Sequence, residues 1–179
     1  MTGVRWLDWY GDGSMLVVDV GLACCALEFE AAALEVPGGL LPGGLRGGRD
    51  AGVTDPAVTP LAEGGQVVVV VSGTVTDRLA PAVMAIVDAA GELGVTPTVV
   101  SFGACASSGG PYWDSYAVTK GIDQLVPVDV FVPGCPPPPD ALQAVLDRLS
   151  GPDRHSGRNR LSGLNQHSGL DGLSSRSPR

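Results

Sequence analysis

Four cysteines, Cys24, Cys25, Cys105 and Cys135, are the residues of this chain best equipped for chemistry. In a reducing compartment such a set reads as metal ligands or catalytic thiols before it reads as disulfides. A disulfide between the neighbours Cys24 and Cys25 is strained. A structural zinc ion usually draws on Cys-x2-Cys knuckles, and adjacent residues have difficulty placing both sulfurs at neighbouring corners of one tetrahedron. A multi-iron cluster relaxes that constraint, because each thiolate binds a different iron atom. Spacing therefore favours the cluster, with small buried cysteines in ordinary strand-to-helix turns as the reading left open beside it. Gly103, Gly109, Gly110 and Gly134 let backbone approach a bulky inorganic core, and N–H groups in such loops can hydrogen-bond sulfide and thiolate. Both histidines, His155 and His167, fall in the C-terminal tail, so the body offers no imidazole ligand or His-dependent hydrolase centre.

Distant thiols can meet only if the fold gathers them. Met15–Val20 is a short β-branched run, and the five consecutive valines of Gln66–Ser72 imply a strand buried on both faces, as in a parallel sheet. Thr98–Phe102 and Val128–Val132 supply two more strands. Helices are predicted from Ala26 to Glu35, from Asp77 to Leu93 with Pro81 in the first turn, and from Asp140 to Leu149, where Ala141, Leu142, Val145, Leu146 and Leu149 form one apolar face. Alternating strands and helices predict an α/β class, a single domain with a mainly parallel sheet flanked by helices. Each cysteine then lies just beyond the carboxyl end of a strand, where open parallel sheets bind their ligands.

The predicted organisation is an N-terminal extension over 1–13, the α/β domain over 14–150, and a disordered tail over 151–179 rich in Gly, Ser, Arg and Asn. Inside the domain, 36–65 reads as a long Gly/Pro-rich loop. At 179 residues the chain suits one domain, and its net charge of −8 divides into 6 Lys+Arg against 17 Asp+Glu over 1–150 and 5 against 2 beyond. An acidic body without a basic stripe argues against nucleic acid as a partner. Residues 1–12 show no signal-peptide pattern, and the longest apolar stretch, Met15–Leu27, is too short to span a bilayer and is interrupted by Asp19. Hydrophobic residues make up 44% with a mean hydropathy of +0.22, a surplus that calls for covering by partner subunits. Any membrane association is expected through those partners.

Four ordered segments carry a resemblance to a known family: Gly21-Leu-Ala-Cys-Cys-Ala-Leu-Glu28, Gly73-Thr-Val-Thr-Asp-Arg-Leu-Ala-Pro81, Gly103-Ala-Cys-Ala-Ser-Ser-Gly-Gly110 and Val126-Pro-Val-Asp-Val-Phe-Val-Pro-Gly-Cys-Pro-Pro137. With Tyr112, Tyr116, Lys120-Gly121 and Asp123, they resemble the B subunit of NADH-quinone oxidoreductase, the bacterial respiratory complex I, over residues 14 to 150 apart from the Gly-rich loop. The resemblance implies one 4Fe-4S cluster on Cys24, Cys25, Cys105 and Cys135, with electrons passed to quinone at the interface with the large hydrogenase-like subunit. It further implies a peripheral place on the cytoplasmic side of the cell membrane, within a proton-translocating assembly (a translocase, with ubiquinone or another quinone as acceptor). NADH and flavin are left to other subunits, and the chain is not catalytic alone. The runner-up is the small subunit of a membrane-bound nickel-iron hydrogenase or related oxidoreductase, and a zinc-stabilised assembly protein is the alternative of another class.

The chain departs from the family pattern where an acceptor would sit. Phe29-Glu30 replaces a methionine pair, and Trp113-Asp114 stands where the pattern has His-Tyr, which marks a divergent paralogue. Glu28, Phe29, Glu30, Tyr112 and Trp113 are the candidates for the cluster or quinone environment. The blander reading makes the carboxylates solvated or interface groups, and gives Tyr112, Trp113 and Tyr116 to core or interface packing.

Overall fold

The computed structural model describes residues 5–34, 53–54 and 61–151. Its strands are β1 (Arg5–Asp8), β2 (Met15–Gly21), β3 (Val53–Thr54), β4 (Gln66–Ser72), β5 (Thr98–Phe102) and β6 (Val130–Val132). Its α-helices are α1 (Cys25–Ala33), α2 (Ala80–Gly91), α3 (Ala104–Ser108) and α4 (Pro139–Leu149). The sheet order is β3-β1-β2-β4-β5-β6. β2, β4, β5 and β6 run parallel, while β1 is antiparallel to both its neighbours. The α/β domain with a mainly parallel sheet flanked by helices is therefore what the sequence forms.

The valine run explains the layering. Val68 and Val70 face one core with Met15, Val17, Val100 and Phe102, which α1 and α4 close with Phe29, Ala32, Leu142 and Leu146. Val67, Val69 and Val71 point the other way, toward Leu16, Val18 and Val99 and the α2 residues Ala80, Val83 and Ala90. The period-2 alternation of a strand thus feeds two hydrophobic layers from one apolar run. On α4 the expected face holds: Leu142 and Leu146 are buried, with Ala141, Val145 and Leu149 packed at its margin.

Residues 5–13 belong to the domain and are not an extension before it. Arg5–Asp8 pair with Asp19–Leu16 as β1, and Trp9 follows with no exposed surface. The Trp9 ring meets Phe29 of α1 edge-on at 5.8 Å, and its Nε1 donates to Gln143 Oε1 of α4 at 3.2 Å. Tyr10 donates to Asp147 Oδ1 at 2.9 Å. A segment of so few residues carries no periodic signal of its own; pairing with β2 and β3 makes it a strand. Replacing Trp9 by Ala removes a fully buried ring and a cross-element hydrogen bond, and is expected to cost about 3–5 kcal/mol in chemical denaturation.

Two boundaries also move. β6 begins at Val130 instead of Val128, because Asp129 makes both of its contacts to Val99: its N–H donates to Val99 O at 2.9 Å and its Oδ2 accepts from Val99 N at 2.8 Å. α2 begins at Ala80 instead of Asp77, since Thr76 O collects the N–H groups of Leu79 and Ala80 in a turn while Asp77 N donates to Ala117 O. Pro81 sits in the first turn as expected. Of the Gly/Pro-rich loop, 36–52 and 55–60 lie outside the described residues, as does the tail over 152–179. No helix among the described residues is long and apolar enough to cross a membrane.

Candidate metal centre

The strand register explains how the four thiols meet. Gly21, Ser72, Phe102 and Val132 lie in one row across the parallel strands, each paired with the next. Cys24, Cys105 and Cys135 each lie three residues beyond the member of that row on their own strand, and Cys25 follows at once. One strand intervenes, because β4 separates β2 from β5. The chain after β2 crosses its end at Gly73: Leu22 N donates to Ser72 O at 2.9 Å, and a Cβ at Gly73 would stand 2.6 Å from Ala23 N. With φ at +120°, Gly73 is also in a conformation that side-chain-bearing residues rarely adopt. Sequence reasoning misses Gly73, although a glycine directly after a buried valine strand is the signal that marks it.

Gly103 is the point where three cysteine segments touch. A Cβ there would lie 2.5 Å from Cys25 Sγ and 3.6 Å from Gly134 O, the carbonyl just before Cys135, and Cys105 is two residues on. Ala104 N donates to Gly134 O at 2.8 Å, and Gly103 N to Val132 O at 2.9 Å, fastening the Cys105 loop to the Cys135 loop. Gly110 comes back over Cys105, where a Cβ would meet its Sγ at 2.9 Å. Cys25 opens α1, one residue after the N-cap Cys24.

Cys25 and Cys105 are buried, Cys24 and Cys135 exposed, and none is in a disulfide. Burial pushes the Cys25 thiol up to about 12 from the ordinary 9.0; Cys24 adds to this through its charge and a side-chain hydrogen bond, then Cys105 and Cys135 through theirs. The sulfurs of Cys24, Cys105 and Cys135 all act on Cys25, which places that thiol near each of them. A carrier of positive charge reverses this, because converging thiolates repel until a cation stands between them. The donor set therefore fits an iron-sulfur core: soft sulfur ligands only, with glycine clefts where a side chain would otherwise fill the space. Among the described residues no three His, Cys, Asp or Glu side chains stand close enough together to share a single metal ion. A single zinc ion needs its thiolates about 2.3 Å from one point, whereas a cluster spreads them over several irons.

The raised pKa has a pH consequence for the chain without its metal. The folded state holds the Cys25 proton more tightly than the unfolded state, so this contribution to stability is complete below about pH 9 and lost as pH rises toward 12. The cluster-free protein is expected to unfold at lower urea at pH 10.5 than at pH 8. Alkylation at pH 8 is expected to reach exposed Cys24 and Cys135 well before buried Cys25, read by mass spectrometry of the peptides.

The other candidate residues divide. Phe29 has no exposed surface and packs on Trp9, so it offers an acceptor nothing to touch; one turn from Cys25, it is part of the apolar layer containing that thiol. Glu28 and Glu30 are half-buried on α1. Tyr112 and Trp113 are exposed, as is Tyr116 at 98%, which excludes core packing for all three in this chain.

The structure is thus a single α/β domain with four free cysteines placed beyond one row of strand ends. The chain belongs to the family described as NADH ubiquinone oxidoreductase, 20 Kd subunit, whose pattern it matches over residues 24–149. It is 47% identical over 147 residues to the B 1 subunit of NADH-quinone oxidoreductase from Salinispora tropica, covering 80% of this chain and 68% of that protein. It is 46% identical over 145 residues to the B 2 subunit of the same oxidoreductase from Streptomyces griseus subsp. griseus, covering 78% of this chain and 54% of that one. The chain thus spans about two thirds and about half of these relatives' lengths. A solved structure of the membrane-bound sulfane sulfur reductase, an archaeal respiratory membrane complex, aligns at 27% identity and a TM-score of 0.39, over 49% of this chain and 52% of that one.

Proposed function

We propose that the chain holds one 4Fe-4S cluster on Cys24, Cys25, Cys105 and Cys135, and serves as an electron-transfer subunit of a complex I-like NADH-quinone oxidoreductase. The observation that carries this is the gathering of four cysteines beyond one register row in a member of this family. A bound cluster supplies outer-sphere electron transfer, which asks no general acid or nucleophile of the protein. The chain's own task is to bind and orient. Gly73 and Gly103 give the ligand loops their close approach, and Phe29 and Phe102 keep water from the floor of the site.

Electrons leave toward quinone at a face shared with the large hydrogenase-like subunit. Cys24 and Cys135 are exposed, and Leu27, Tyr112, Trp113 and Tyr116 stand exposed on the segments that follow the cysteines. Large apolar side chains beside open thiols call for a protein cover. In this reading the chain is a peripheral protein on the cytoplasmic side of the cell membrane, held there by partners within a proton-translocating assembly.

Purifying the assembly through a tag on this chain tests the reading. NADH-driven reduction of an added quinone is expected in the purified material. Hydrogen oxidation by a nickel-bearing partner, with no quinone reduction, would contradict it and favour the hydrogenase small subunit.

A further inference from the structure

Ser101, like Ser72 in the neighbouring strand, is a sheet hydroxyl with no exposed surface, here in a strand with Val99, Val100 and Phe102. A buried hydroxyl without a partner is costly, so its bond is informative. Its Oγ lies 2.9 Å from Ser107 Oγ of α3. Ser107 in turn donates to Gly103 O at 2.9 Å. A serine hydroxyl has a single proton, and Ser107 commits its own to Gly103, so Ser101 is the donor of the first bond. The result is a directed chain from Ser101 through Ser107 to the Gly103 carbonyl.

The end of that chain matters because Gly103 lies against Cys25 Sγ and near the Gly134 carbonyl just before Cys135, two residues ahead of Cys105. Its carbonyl also accepts Ser107 N at 3.1 Å, and the N–H across the same peptide, on Ala104, donates to Gly134 O. The Gly103–Ala104 peptide is held at both ends, with its α-carbon against Cys25 Sγ and the Cys105 and Cys135 segments on either side. Serines in helices often bond the carbonyl four residues back for no further purpose. Ser108 does so here, donating to Ala104 O at 3.2 Å from an exposed position. Ser107 differs in having a fully buried hydroxyl aimed at it from the strand below.

We propose that Ser101 and Ser107 form a positioning relay, which fixes the Gly103 peptide and through it the relative placement of Cys25, Cys105 and Cys135. This inference rests on the cluster reading above. Neither serine touches the metal; they act through the peptide that the ligand loops share.

The test uses the full chain purified anaerobically with its associated subunits. Ser107→Ala is expected to release iron to a chelator on the order of 10-fold faster, the scale seen when groups behind metal ligands are lost. Its reduced EPR signal is expected to broaden and its midpoint potential to move. Ser101→Ala should move the same readouts by less, Ser107→Thr should restore them, and Ser108→Ala should leave them at parental values. Parental spectra, potential and iron release in Ser107→Ala would overturn the relay while leaving the cluster reading intact. If Ser107→Ala and Ser107→Thr lose iron equally, packing and not the hydroxyl is responsible, and the relay is again overturned. A parent free of iron would overturn the cluster reading and the relay with it.

Discussion

Cys24→Ala and Cys135→Ala are each expected to abolish the 4Fe-4S signal while leaving a folded chain. The contrast follows from where these thiols sit. Both are exposed, so truncation removes a ligand and little buried apolar surface. Cys25 belongs to the α1/α4 core, so its replacement would mix ligand loss with a packing defect. Iron content, the EPR spectrum after reduction and far-UV circular dichroism separate the two effects. Iron should fall far below the parental value with secondary structure unchanged. An intact signal in either variant would show that the cysteine is not a ligand.

Gly103→Ala should be nearly as damaging to the centre although it removes no ligand. Two costs combine. At φ +99° and ψ 163°, a region essentially reserved for glycine, an added Cβ is strained by roughly 1–3 kcal/mol, and the methyl would lie 2.5 Å from Cys25 Sγ. At that distance the Cys25 sulfur or the Gly103 backbone must shift, and either movement changes the placement of Cys25 relative to the Cys105 and Cys135 loops. Gly94→Ala is the control, because Gly94 has a comparable φ of +84° with nothing within 4 Å of the added carbon. That variant is expected to lose a little thermal stability and keep its iron, whereas Gly103→Ala loses both stability and iron. Equal iron retention by the two would show that the cleft at Gly103 is not part of the site.

The central strands and the positions of the cysteines are legible in the sequence because both depend on local signals. Five valines in a row announce a strand buried on two faces, and the carboxyl ends of parallel strands share one edge. Features that exist only through distant contacts are not legible there. Trp6 and Leu7 become part of a strand because β2 and β3 flank them, and Trp9 becomes core because α1 and α4 meet over it. The side chain of Asp129 takes the place of a backbone partner at the start of β6, so hydrophobic pattern alone makes that strand two residues too long. Phe29 is a candidate for the acceptor's surroundings from its place in a motif, yet the facing Trp9 ring puts it in the core. The glycine after the valine strand marks Gly73 as a special position, but that the chain leaving β2 crosses β4 there depends on sheet order, which local pattern does not report.

The most direct test of the central claim is the metal content of the protein purified without oxygen, followed by EPR of the reduced sample. About four irons and four sulfides per chain, with a spectrum of a reduced 4Fe-4S cluster, are expected. Stoichiometric zinc with no EPR signal would contradict it, and would mean that Cys24, Cys25, Cys105 and Cys135 serve structure and not electron transfer.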